Sequence, residues 1–142
     1  MPTRKASAVW EGGLKDGKGS LKGESGSLDG AYSFGSLFDE GTGTNPEELL
    51  AAAEAGCFSM ALAAGLERNG TPAERVQTEA ACTVEKVGDA FSITTIRLRT
   101  RARVPGLDRE TFMDMVDDTR KNCVVSRALA SVDIQVDAEL EA

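Results

Sequence analysis

A single domain that mixes strands with helices is predicted for this 142-residue chain by three features of its sequence. The first forty residues hold eight glycines between short alternating runs. Asn45-Pro46-Glu47-Glu48 then opens a long apolar stretch, and beyond it two strongly alternating segments, an amphipathic segment and a last alternating run follow. The length suits one domain and buries roughly two thirds of the unfolded surface without disulfide staples.

The glycine-rich start reads as short strands joined by tight turns, Ala6 to Glu11, Gly17 to Lys22 and Ser27 to Tyr32. Large apolar residues are few there (Val9, Trp10, Leu14, Leu21, Leu28, Tyr32, Phe34), so this sheet must pack on something else. Asn45 is an N-cap, Pro46 suits the first helical position, and Glu47 and Glu48 suit the positive end of a helix dipole. The helix that follows, Pro46 to about Asn69, is rich in Ala, Leu, Met and Gly with its polar residues near the ends. It is expected to be buried nearly all round, which hints that a second subunit covers it. Leu49 to Leu66 is 18 residues with one charge, but Glu54 and seven alanines make it too weakly hydrophobic for a membrane span.

Two strands come next. In Val76 to Lys86, Val76, Thr78, Ala80, Cys82 and Val84 share a face; in Phe91 to Val104, Ile96, Leu98, Thr100, Ala102 and Val104 alternate with Arg97, Arg99, Arg101 and Arg103. Pro105-Gly106 ends the second strand. Asp108 caps an amphipathic helix to about Lys121, a short helical turn spans Cys123 to Ala130, and a last strand runs from Val132 to Leu140. The four arginines read as the solvated face of a sheet, paired with acids such as Glu79, Glu85, Asp133, Asp137 and Glu139 on neighbouring strands. A nucleic-acid stripe would carry interleaved aromatics, which are absent.

Composition narrows the chemistry. With no histidine, the chain can build no Ser-His or Cys-His couple and no His-assisted zinc site, so any base is a carboxylate, lysine or thiolate. A net charge of −7 argues against capture of nucleic acid or anionic lipid and favours a small neutral ligand. The start, Met1-Pro2-Thr3-Arg4-Lys5-Ala6, has no apolar core of a secretory signal, and a cytoplasmic location is expected. There thiols stay reduced, and three cysteines with no Cys-x-x-Cys pair point away from a disulfide framework and from zinc.

Taken alone, Cys57, in the middle of the apolar helix, is more often a small core hydrophobe than a nucleophile. Cys123 stands at the start of the short helical turn, where unpaired amides favour a thiolate. Cys82, inward among Val76, Ala80 and Val84, reads as structural. If the fold joins Cys57 and Cys123, they suit a peroxidatic and resolving pair: one thiolate is oxidised to a sulfenic acid and the other thiol condenses with it to a disulfide. No histidine is needed, but a thiolate in an apolar setting needs a cation or hydrogen-bond donor.

Gly43-Thr44-Asn45-Pro46-Glu47-Glu48-Leu49-Leu50, Ala55-Gly56-Cys57-Phe58-Ser59-Met60-Ala61-Leu62 and Cys123-Val124-Val125-Ser126 together resemble the OsmC/Ohr family of osmotically inducible and organic hydroperoxide resistance proteins. Trp10-Glu11-Gly12, Lys18-Gly19, Glu24-Ser25-Gly26 and Val104-Pro105-Gly106-Leu107 resemble its OsmC branch, so the similarity runs nearly end to end and residues 1–142 read as one OsmC-like domain. The resemblance implies an α+β fold, an intertwined homodimer with antiparallel sheets wrapped around two central buried helices. It implies a cysteine-based peroxidase in which Cys57 matches the peroxidatic cysteine, Cys123 the resolving cysteine and Glu47 the supporting acid. The implied substrates are organic hydroperoxides, with hydrogen peroxide reduced less well, and an external dithiol, small or lipoyl-type, reopens the disulfide without a bound cofactor or metal.

Ten residues of helix span about 15 Å, so an unbroken helix places the Glu47 that serves Cys57 on the other subunit. The family's thiolate-steadying arginine has no match here: its two known places hold Leu14-Lys15-Asp16-Gly17 and the Leu37 that precedes Phe38. Lys15 is the candidate substitute, a point charge without the planar fork of arginine. Phe34, Phe38, Phe58 and Met60 are expected to line an apolar pocket that favours alkyl hydroperoxides. The competing expectation is a non-enzymatic protein of the same fold that binds an apolar ligand, for which the missing arginine is the best support.

Overall fold

The computed structural model describes residues 2–39 and 41–141, and its chain forms two compact units, Met1–Leu49 and Leu50–Ala142. The first unit holds the strands β1 (Ala6–Glu11), β2 (Lys18–Gly23) and β3 (Asp29–Tyr32) and a short helix α1 (Phe34–Phe38). The three strands form an antiparallel meander. At its centre the Trp10 and Tyr32 rings lie 5.3 Å apart, tilted by 56°. They close over Gly19, where a Cβ would come within 2.5 Å of the tyrosine ring, so the glycine is fixed by the aromatic pair. Helix α1 is stabilised by a capping box in which Ser33 and Ser36 each accept from the other's backbone N–H. Nothing in the apolar spacing of the sequence announced it, because it is a five-residue turn held by two serines.

Helix α2 (Pro46–Arg68) opens as expected: the Asn45 side chain accepts from the Glu48 amide at 2.7 Å and donates to the Ser36 carbonyl at 2.9 Å. Its remaining residues belong to the second unit with β4 (Arg75–Val87), β5 (Ala90–Arg103), α3 (Arg109–Asn122), α4 (Val124–Ala128) and β6 (Asp133–Glu141). The predicted boundaries of these elements stand within two residues at either end of α2, α3 and the three strands. Gly88 takes the positive φ of 62° that the two-residue β4–β5 turn requires.

The order in the second sheet is β4-β5-β6. β4 and β5 are antiparallel, but β6 runs parallel to β5, which corrects the expectation of purely antiparallel sheets. The reason is the connection: the chain leaves β5, crosses through α3 and α4 and returns in the same direction, as a parallel pair requires. The alternation of β5 holds as read, with Ile96, Leu98, Thr100, Ala102 and Val104 buried and the arginines outward. Arg101 pairs with Glu139 at 3.4 Å and with Glu141 at 3.6 Å, Arg103 with Glu141 at 3.8 Å, and Arg97 donates to Gln135 at 3.0 Å. The stripe is a solvated, ion-paired sheet face, each exposed pair contributing at most about 1 kcal/mol.

One face of α2 carries the core. Glu54, Phe58, Leu62 and Leu66, spaced four apart, are fully buried, and the three apolar ones pack with Ile96, Leu98, Ala102, Val104, Phe112 and Val116. Ser59 donates to Thr78 Oγ1 at 2.7 Å, which lies 3.0 Å from Thr100 Oγ1, so hydroxyls pin the helix to the sheet. The expectation of burial all round is corrected for the single chain: Ala52, Ala53, Gly56 and Met60 are exposed, because one sheet covers only one side of a helix. By length and composition α2 could cross a membrane, with a mean hydropathy of 1.7, yet its buried stripe is part of a packed sheet-and-helix core. Because Leu62 is fully enclosed, Leu62→Ala should lower unfolding free energy by roughly 3 kcal/mol. Urea denaturation tests this; a loss under about 1 kcal/mol would mean that the site is not core.

Candidate active site

Helix α2 presents Glu54 and Cys57 three residues apart, on neighbouring positions of successive turns. Cys57 is half-buried. From the other side comes the junction of α3 and α4, where the chain leaves the helical conformation for one residue. That residue is Cys123, both C-cap of α3 and N-cap of α4, with φ −63° and ψ 144°. Its sulfur accepts from the Ser126 amide at 3.4 Å, as a serine or aspartate would at the same position. The start of α4 therefore aims Cys123 and Ser126 at the same point.

That point is the Glu54 carboxyl. The Ser126 hydroxyl donates to Glu54 Oε1 in a short hydrogen bond. Cys123 Sγ lies 3.0 Å from Ser126 Oγ and 3.8 Å from Glu54 Oε1. In the 3.0 Å contact either sulfur or oxygen can donate, and the Cys123 thiol also donates directly to Glu54 Oε1. Cys123 and Ser126 thus both converge on Glu54 Oε1 and touch each other. Glu54 Oε2 is also buried and makes no hydrogen bond among the described residues. Glu54, Cys123 and Ser126 are 0%, 3% and 5% exposed.

Cys57 belongs to the same cluster, close enough to act on Cys123 as a hydrogen-bonding neighbour, and both are free thiols. Burial pushes the Cys123 thiol up from its ordinary value. The Ser126 hydroxyl and amide pull it down, while Cys57 and the Glu54 charge push it up. The helix-start position of Cys123 was expected to activate it; its burial overrides that expectation, and Cys123 is held as a thiol.

Glu47 and Lys15 belong to the first unit, Glu47 in the first turn of α2 with Oε2 buried and unpartnered among the described residues, and Lys15 exposed in the turn between β1 and β2. Helix α2 is unbroken from Pro46 to Arg68, with Glu47 and Cys57 ten residues apart along it. Phe58 is spent on the core and cannot line a pocket, while Phe34 stacks on Phe38 within the first unit at 4.7 Å. Cys82 faces inward on β4 against the core, as its pattern implied. Among the described residues no group of three or more Cys, Asp or Glu side chains is arranged to hold a metal ion. The residues missed by sequence reasoning are Glu54 and Ser126. Glu54 had a signal, as the one charge in 18 apolar residues; Ser126 had none beyond its place after Cys123.

An adjacent pair of thiols, one partly accessible and one buried against an acid, is equipped to cycle between dithiol and disulfide. Comparison with known proteins adds the following. The family of OsmC-like proteins matches residues 39–137. Peroxiredoxin OsmC of Escherichia coli (strain K12) is 40% identical over 139 residues, covering 97% of this chain and 96% of that protein. The organic hydroperoxide resistance protein of Xanthomonas axonopodis pv. citri is 32% identical over 90 residues, 62% of this chain and 61% of that one. Among solved structures, the organic hydroperoxide resistance protein OhrB of Bacillus subtilis matches with a TM-score of 0.69 and 25% identity, over 96% of this chain and 98% of the other. An OsmC-like protein of unknown function from Vibrio cholerae shares the fold at a TM-score of 0.78 and 15% identity, over 97% and 99%.

Proposed function

This chain belongs to the OsmC-like family and is a peroxidase-type enzyme, and we propose that it reduces organic hydroperoxides through Cys57 and Cys123. The observation that carries the proposal is the contact of Cys123 with Glu54 at 3.8 Å, three residues before Cys57 on α2, which gathers two free thiols 66 positions apart in sequence around one carboxyl. In the proposed cycle the Cys57 thiolate attacks the hydroperoxide, the O–O bond breaks, Cys57 is left as a sulfenic acid and the departing alkoxide takes a proton from solvent to leave as an alcohol. Cys123 then condenses with it to a disulfide with loss of water, and an external dithiol, small or lipoyl-type, restores both thiols. The state of Cys123 suits the second role: a buried thiol is a poor first nucleophile and is protected from the oxidant.

We further propose that the enzyme is a homodimer with composite sites. The face of α2 opposite its buried stripe, Ala52, Gly56 and Met60, is small-residued and exposed, as a helix that packs on its own copy would be. Glu47 of one subunit then supports Cys57 of the other, and Lys15 is the candidate positive charge at the thiolate. Cumene hydroperoxide should be reduced at least about tenfold faster than hydrogen peroxide under one dithiol reductant, because apolar contacts of this size add 1–3 kcal/mol of discrimination. Equal rates for the two would overturn the preference for organic substrates, and no turnover of either would favour the ligand-binding alternative.

A further inference from the structure

The resolving half of this cycle has a proton to move, and the cluster beneath α2 contains a route for it. We propose that Ser126 and Glu54 form a proton relay for Cys123, with Glu54 holding the proton that Cys123 gives up as it closes the disulfide. This rests on the peroxidase reading above and assigns residues to its second step.

The connectivity of the hydrogen bonds is the first support. Ser126 donates to Glu54 Oε1, its oxygen lies 3.0 Å from Cys123 Sγ, and the Cys123 thiol also donates to that same Oε1 at 3.8 Å, so sulfur, hydroxyl and carboxylate form one connected set. A proton that leaves sulfur enters the hydroxyl, and the hydroxyl proton passes to the carboxylate. The second support is placement. Glu54 sits on α2 one turn before Cys57, so the group that receives the proton from Cys123 also lies beside the sulfur that Cys123 attacks. The third is the chemistry of an acid at such a spot. Glu54 is fully buried, Oε2 makes no hydrogen bond among the described residues, and neither oxygen has an ion pair there, so the carboxylate has an open lone-pair position for a proton. A structural acid in a core is ordinarily paired with a base; this one is paired with a hydroxyl and a thiol.

The step balances without a further reactant. Cys123 Sγ forms the S–S bond as its S–H bond breaks, and the S–O bond of the Cys57 sulfenic acid breaks with its electron pair leaving on the hydroxyl group. The Cys123 sulfur is oxidised and the sulfenic sulfur reduced. The proton lost by Cys123 passes through Ser126 to Glu54, and Glu54 delivers it to the departing hydroxyl, which leaves as water. Glu54 ends the step as it began. With the negative charge neutralised during transfer, the developing sulfur nucleophile is also spared a like charge 3.8 Å away.

A single-turnover experiment tests the relay. Reduced full-length protein receives one equivalent of cumene hydroperoxide, and quenched samples are assayed by mass spectrometry for the dimedone-trapped sulfenic acid and for the Cys57–Cys123 disulfide. In wild type the sulfenic acid is expected to be short-lived. In Glu54→Gln, which keeps the size and can still accept from Ser126 but is not a base, disulfide closure should slow at least about tenfold relative to sulfenic acid formation in the same variant. Closure should then gain a dependence on rising pH that wild type lacks, which a merely structural role would not produce. Ser126→Ala should behave alike and Ser126→Thr, which restores the hydroxyl, should recover. This second pair decides the matter if Glu54→Gln does not fold. Closure at the wild-type rate and pH profile in both Glu54→Gln and Ser126→Ala overturns the relay while the peroxidase reading stands. A wild-type protein that forms neither sulfenic acid nor disulfide overturns both.

Discussion

Cys57→Ser should abolish peroxide consumption, with a loss of at least about a thousandfold, while the fold and the thermal midpoint stay close to wild type. The serine hydroxyl is nearly isosteric with the thiol but is a far weaker nucleophile without a neighbouring base, and the absence of histidine means that no imidazole can activate it. Half-burial of Cys57 makes the structural cost small. Cys123→Ser should separate the two halves of the cycle: one equivalent of hydroperoxide is consumed at a rate near wild type, and the enzyme then stops as a sulfenic acid with no partner to close on. Stopped-flow oxidation by cumene hydroperoxide, followed over one and then many turnovers, distinguishes these outcomes. Three slow and similar traces for wild type and both variants would instead describe a protein whose thiols only pack, and would end the peroxidase proposal.

Met60→Glu is expected to convert the proposed dimer to monomers and to cost at least about tenfold in activity without unfolding the chain. Met60 is 72% exposed at the middle of α2 and takes no part in the core formed by Phe58, Leu62 and Leu66, so the substitution leaves the second unit intact. In a twofold assembly the same change occurs twice across one interface, and two carboxylates facing each other there cost several kcal/mol in desolvation and repulsion. In the proposed composite site, activity falls because Cys57 loses the Glu47 of the second subunit. Sedimentation or light scattering gives the oligomeric state and the peroxide assay gives the rate. A variant that stays dimeric with full activity would remove α2 from the interface and the composite site with it.

How much of this was open to reading in the sequence depends on the range of the interaction involved. The start of α2 was legible because a helix N-terminus is a local event, written in Asn45, Pro46, Glu47 and Glu48 and completed by one side chain and one amide three residues on. The faces of β5 were legible for a similar reason: a strand has period two, and four arginines at alternate positions leave one assignment for the residues between them. Helix α1 was not, since two serines over five residues resemble any polar turn. The direction of β6 was not legible either. Its alternation gives the same pattern whichever way it runs, and only the crossover through α3 and α4 sets it parallel to β5.

The candidate site divides along the same line. Cysteine count, the lack of histidine and the local settings of Cys57 and Cys123 belonged to the sequence, and they were enough to restrict the chemistry to thiols, carboxylates and lysine. That Cys123 stands as a thiol was a matter of tertiary structure. The local signal, an N-cap facing helix amides, pointed to a stabilised thiolate, and burial beside Glu54 reversed it. Glu54 itself is the clearest case: in the sequence it is a lone acid in an apolar stretch, and in the folded chain it accepts from a thiol and a hydroxyl that lie 69 and 72 positions away. Periodicity and capping are carried by neighbours along the chain, so a sequence determines them alone. The environment of a buried ionisable group is made by whatever the fold brings against it, and only the tertiary structure could decide what surrounds Glu54 and Cys123.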